Sequence, residues 1–302
     1  MERKITVALT SHRVEMLDLL EEEARKNQVL ILEEPQNEGL YQFLEGKMDA
    51  EYYISQIDTT FPVFTGKYLS LLKELYNEDL EIVQIDPYSQ HLEEINKAIE
   101  EGKLDELSGK GIDVVKRVEK GVTYAWLKYQ QEFVDQNFDE IVKGTIFFAQ
   151  ADAQRFRSKD FMRAKHIASF LETGESSNIM VETGRMHFLL PEILKKLIED
   201  SYIATVDLVG KKARSCNIQL FENPGNLLTE EYIINKKLGE EEAKLMAAQG
   251  LIYISLIEKE ELLPTDKNPC PHLKDENKIA EYANGLSYDQ CKQEFERIWE
   301  FK

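Results

Sequence analysis

Cysteine is scarce in this chain of 302 residues: only Cys216, Cys270 and Cys291 occur. They are widely spaced and odd in number, which argues against a disulfide framework, and no pair has the spacing of a structural zinc site. Basic side chains are in deficit as well, with 37 Lys and Arg against 56 Asp and Glu and a net charge of −19. Such a surface repels a phosphate backbone or an anionic bilayer, so neither nucleic acid nor membrane is expected as a partner. No apolar run approaches the roughly 20 residues that span a bilayer. Met1-Glu2-Arg3-Lys4 leads straight into a strand-like stretch rather than an apolar signal segment. The cytoplasm is the expected location. There is no G-x-S-x-G elbow to suggest a serine hydrolase of the α/β-hydrolase kind.

What is present is an ordinary globular composition, 42% hydrophobic and 31% charged, too apolar for a disordered chain. Short β-branched or aliphatic runs at residues 5–10, 29–32, 81–85, 178–181 and 203–209 read as strands. Amphipathic spacing predicts a helix over 14–26, and a mostly helical stretch fills about 90–172. Another helix is expected from Phe188. After Asn223-Pro224-Gly225-Asn226 the pattern is helical to the end, apart from a polar loop at 264–272. No internal repeat is seen. Strands alternating with helices predict an α/β fold with a mainly parallel sheet flanked by helices. The expected division is an α/β domain over 1–222 and a helical C-terminal lobe over 223–302.

Four of these strands end alike: an apolar run stops and ionisable side chains follow at once. They are Ser11-His12, Glu33-Glu34, Asp86, and Glu182 through His187. In an open parallel sheet the carboxyl ends of the strands share one edge, where ligands bind. Strands lie about 4.8 Å apart, so residues from neighbouring ends can meet one ligand. His12 suits a general base or a metal ligand, or else a loop contact. Ser11 suits a helix N-cap. One of Glu33 and Glu34 must face the edge, where burial raises a carboxyl's proton affinity. Gly184 offers a sharp turn or a close approach, and His187 mirrors His12 in its strand-to-helix position.

The segment from Arg155 to His166 carries five Lys and Arg against one Asp. As a helix it places Lys159, Arg163 and His166 on one face, ready to meet an anionic ligand or the protein's own acids. His272, near Cys270 in a turn-rich loop, is expected to be structural, and His91 to sit in the first turn of a helix.

The chain resembles the superfamily of erythromycin-esterase-like, haem-binding ChaN-like and TraB/Tiki-like proteins. The likeness rests on Thr10-Ser11-His12 with its acidic helix, on Val29-Leu30-Ile31-Leu32-Glu33-Glu34-Pro35, on Arg157-Ser158-Lys159-Asp160-Phe161-Met162-Arg163, and on Ile179-Met180-Val181-Glu182-Thr183-Gly184-Arg185-Met186-His187. It implies that His12, Glu33 or Glu34, Arg163 and His187 surround an active centre. It also implies a hydrolase-like activity on an ester or peptide. His12 and Glu33 or Glu34 would activate water, with Arg163 steadying the oxyanion. If a divalent metal takes part, His12, Glu33 and His187 would hold it, and His and Glu ligands suit zinc or manganese. The alternative is a protein that binds haem or an anionic small molecule without turnover, its two histidines as axial ligands. A third reading is a scaffold that binds a partner.

Overall fold

The computed structural model describes residues 3–57, 59–134, 137–174 and 176–300. Five strands, β1 (Arg3–Thr10), β2 (Val29–Leu32), β3 (Glu81–Gln84), β4 (Asn178–Gly184) and β5 (Ser201–Asp207), form one sheet in the order β3-β2-β4-β1-β5. Every neighbouring pair is parallel. The helices are α1 (Leu17–Ala24), α2 (Glu38–Leu44), α3 (Ala50–Gln56), α4 (Pro62–Asn77), α5 (Pro87–Glu100), α6 (Lys110–Val134), α7 (Phe138–Thr173), α8 (Leu190–Leu197), α9 (Leu208–Ser215), α10 (Pro224–Ile233), α11 (Glu240–Leu256), α12 (Pro271–Asn284) and α13 (Tyr288–Glu300). The expected α/β class is therefore observed.

The central strands are near-continuous apolar runs because both faces are covered. All four residues of β2 are buried. Ile5, Val7, Ile31, Ile179 and Val181 pack with Ala164, Ile167 and Leu171 of α7 and with Leu190 and Leu194 of α8. In β4, Glu182 alternates with these and pairs in register with Ala8 of β1. Since β4 lies between β1 and β2, the ends of those three strands stand side by side.

Two compact units emerge. One comprises Met1–Leu107, Lys159–Cys216 and Glu261–Pro271; the other comprises Ser108–Ser158, Asn217–Glu260 and His272–Lys302. This differs from a division at 222, because α6 and the first part of α7 do not serve the sheet. Phe138, Ile141, Val142 and Ala149 instead form a core with Leu228, Ala248, Leu251 and Phe295. Helices α10 and α11 approach closely in this unit: a Cβ on Gly250 would lie 3.1 Å from the Gly225 Cα.

Several local expectations shift. Strand β4 runs on to Gly184, and β5 stops at Asp207. The Asp207 carboxylate accepts from the Gly210 amide at 3.0 Å, which makes Leu208 and Val209 the first turn of α9 rather than strand. Ser11 is not an N-cap: the chain enters a short 3-10 turn, Val14–Met16, after Arg13, with no side-chain cap. A second such turn, Arg185–His187, precedes α8. His91 lies past the first turn of α5, and His272 is buried in α12, not in a loop. Cys216 and Cys270 form a disulfide with their Cα atoms 6.5 Å apart, while Cys291 is buried and free. A low, odd count excludes a framework of bridges, not a single one made by folding. No described helix is long and apolar enough to cross a membrane.

Candidate active site

The carboxyl edge of the sheet gathers the strand-end residues as the parallel topology requires. Beyond β2, Glu33 turns its carboxylate across to β4, where Oε2 accepts from the Thr183 hydroxyl at 2.7 Å and from the Gly184 amide at 2.9 Å. His187, only 5% exposed, donates from Nε2 to Glu33 Oε1 at 2.7 Å and from Nδ1 to Asp160 of α7. Asp160 is completely buried.

Arg163, one turn further along α7, is 2% exposed. It donates from Nε to the Ile85 carbonyl at 2.9 Å and from Nη2 to the Glu182 carbonyl at 2.8 Å, and its Nη1 lies 3.6 Å from Glu33 Oε2. Lys159 Nζ stands 3.9 Å from Glu33 and 3.6 Å from Asp86. The cationic face of α7 thus meets the protein's own acids. His166, the third member, is exposed and bonds to the Met162 carbonyl, away from the site. Asp86 caps α5 by accepting from the Ser89 amide at 3.0 Å.

A second group lies beside the first. Glu182 accepts from the Tyr68 hydroxyl of α4 at 3.2 Å, and Glu34 accepts from the Gln84 amide at 3.0 Å. His12, exposed beyond β1, stacks on Phe64 with ring centroids 5.4 Å apart, and Phe64 stacks on Tyr68 at 5.5 Å. The charge of His12 bears on both Glu34 and Glu182.

Electrostatics separates the carboxyls. Burial opposes ionisation of Glu33, yet His187, Arg163 and Lys159 hold it well below the usual carboxylate range. Burial pushes Glu34 and Glu182 upward, and the Gln84 bond and His12 only partly offset this. Burial would lower His187, but the adjoining Glu33 and Asp160 outweigh it and raise the imidazole to about 9. It is therefore an imidazolium at neutral pH, donating from both nitrogens. Tyr68 is held well above its ordinary value by burial and by Glu182, so it remains a phenol donor.

A metal on His12, Glu33 and His187 does not fit this arrangement. Both nitrogens of His187 are engaged, and Glu33 is bounded by two further cations that repel another. Among the described residues, no group of three or more His, Cys, Asp or Glu side chains has metal-holding geometry. Haem ligation by His187 meets the same objection, since an axial ligand needs a free ring nitrogen. Nor does Gly184 need to be glycine for its backbone: its φ is −65°.

Of the expected residues, Glu33, Arg163 and His187 are in direct contact, while His12 and Glu34 belong to the neighbouring group. Sequence reasoning gave no role to Asp160, although its place three residues before Arg163 puts both on one helical face. Tyr68, Gln84 and Thr183 carried no signal.

Fold and site define an α/β protein with one parallel sheet and a buried imidazole–carboxylate cluster at its carboxyl edge. The chain belongs to a family shared with a protein of Archaeoglobus fulgidus described as "Uncharacterized protein", 31% identical over 293 residues that cover 97% of this chain and 98% of that one. No family model and no solved structure matches the chain.

Proposed function

We propose that the carboxyl edge is a hydrolytic centre of the erythromycin-esterase/ChaN/TraB-Tiki type, in which His12 and Glu34 activate water for attack on an ester or peptide carbonyl. One observation carries this reading: the exposed His12 imidazole stacks on Phe64 of α4, the helix whose Tyr68 bonds to the buried Glu182, and its charge acts on Glu182 and on Glu34, both of which hold a proton more tightly than an ordinary carboxyl. A carboxylate whose proton affinity is raised is the stronger base toward water. Glu34, with one oxygen bonded to Gln84, takes the proton from water; His12 relays it to solvent. Tyr68 donates to Glu182, whose proton affinity burial raises in the same way.

In this reading Glu33 and His187 are not the base. Asp160, His187, Glu33 and Thr183 form a fixed chain that positions the ends of β2 and β4. Arg163, committed to two backbone carbonyls, stabilises those carboxylates rather than an oxyanion. Lys159, partly exposed, is the cation placed to meet charge developing on a substrate. A cytoplasmic site of action belongs to the same proposal, and there the Cys216–Cys270 bridge is open to reduction by the compartment's thiols.

The test is a screen of ester and peptide substrates with untagged protein, together with metal analysis of the same sample. His12→Ala and Glu34→Gln are each expected to lower turnover by roughly 10²–10⁴-fold. Activity that persists unchanged in His12→Ala ends the proposal.

A further inference from the structure

We infer that Glu261 is a positioning residue for the carboxyl-edge site and that the Cys216–Cys270 bridge keeps it in place. Helix α4 begins without a local cap: Phe61 makes no side-chain cap bond, and Pro62 has no amide hydrogen. The amides of Val63 and Phe64 are instead received by Glu261, at 2.9 Å and 2.6 Å, across sequence separations of 198 and 197. A carboxylate there also complements the positive end of the helix dipole.

The same first turns of α4 carry the groups that touch the site. Phe64 stacks on His12, and Tyr68 bonds to Glu182. The seat of α4 therefore sets where the exposed imidazole rests and how the Tyr68 hydroxyl meets Glu182. Glu261 lies on a strap whose other end, Cys270, is tied to Cys216 at the C-terminal end of α9. Between them the backbones of Thr265 and Asn268 exchange two hydrogen bonds of 3.0 Å, closing a turn.

A dithiol reductant opens this tether in two exchanges. Its thiolate attacks the partly exposed Cys216 sulfur, and the buried Cys270 sulfur leaves and takes a proton. The second thiol of the reductant then closes its own cyclic disulfide, releasing Cys216 as a thiol, two electrons in all.

What α4 positions rests on the hydrolytic reading; that Glu261 positions it does not. The experiment uses the full chain and compares Glu261→Ala, Glu261→Asp and a control, Glu260→Gln, oxidised and after dithiothreitol. Amide exchange in residues 61–70 and the His12 ring resonances are read by NMR. Glu261→Ala is expected to speed exchange at Val63 and Phe64 by about tenfold or more and to move the His12 signals. Glu261→Asp restores part of both, Glu260→Gln changes neither, and reduction of the wild type reproduces the Glu261→Ala pattern. Unchanged exchange and His12 signals in Glu261→Ala overturn the positioning role; an unchanged pattern on reduction overturns the role of the bridge. These readouts stand even where no hydrolysis is found. Where it is found, Glu261→Ala should shift its pH profile.

Discussion

His187 and Glu33 are joined by an Nε2–Oε1 hydrogen bond of 2.7 Å, and the same imidazole reaches Asp160 through Nδ1. One cation thus serves two carboxylates from different elements in a setting that excludes most water. Removing the shared partner leaves the fully buried Asp160 without the cation it bonds to, and leaves Glu33 with only the more distant Arg163 and Lys159. For His187→Asn we expect a loss of about 3–5 kcal/mol in unfolding free energy, read from urea midpoints. A loss under about 1 kcal/mol would show that the pair is not formed as described.

The pH dependence follows from the same bond. The folded value of His187, about 9, lies above its ordinary value of 6.5, so its ion pairs contribute fully below about pH 6.5 and are lost as pH rises through 9. Glu34 and Glu182 act in the same direction, because their burial disfavours the charged form. Glu33, depressed, matters at the other end, where stability falls only as acid protonates it. Stability should therefore drop by on the order of 3 kcal/mol between pH 6 and pH 9.5, measured by denaturant titration. His187→Gln should flatten most of that slope.

His12 and Glu34 are predicted to separate chemistry from folding. His12 is exposed, so His12→Ala should leave the thermal midpoint nearly unchanged. Turnover of any ester or peptide substrate identified for the wild type should fall by roughly 10²–10⁴-fold in His12→Ala and in Glu34→Gln. Equal losses of activity and of folded protein in His12→Ala would count against its role as a proton carrier.

Two glycines should respond oppositely to alanine. At Gly184 the backbone is ordinary, and an added Cβ meets nothing nearer than 3.8 Å, so the cost should be within about 0.5 kcal/mol. At Gly250 the Cβ would press on the Gly225 backbone at 3.1 Å, and separating α10 from α11 should cost about 1–3 kcal/mol. Thermal unfolding of both variants checks the contrast.

Much of the scaffold was legible beforehand. The aliphatic run 29–32 is strand β2 to the residue, and the strand ends at His12, Glu33-Glu34 and Glu182 do lie on one edge. The boundary at Asp207 was not legible, because Leu208 and Val209 suit a strand by type and only the Asp207 cap makes them helical. The bridge between Cys216 and Cys270 was missed for a similar reason: sequence spacing says nothing of two residues brought within 6.5 Å by the fold. The helical lobe proved larger than the C-terminal segment, since an amphipathic helix announces that it has an apolar face, not which core will receive it.

Local pattern alone determined which segments become strands and helices, and that polar residues follow the strands, because burial periodicity and chain stiffness act over a few residues. Only the tertiary structure decided the strand order β3-β2-β4-β1-β5, and with it that Glu33 faces His187 while Glu34 bonds to Gln84 and feels the charge of His12. Adjacent acids in sequence thereby acquired opposite proton affinities. Charge and desolvation act through space, and no reading along the chain contains those distances.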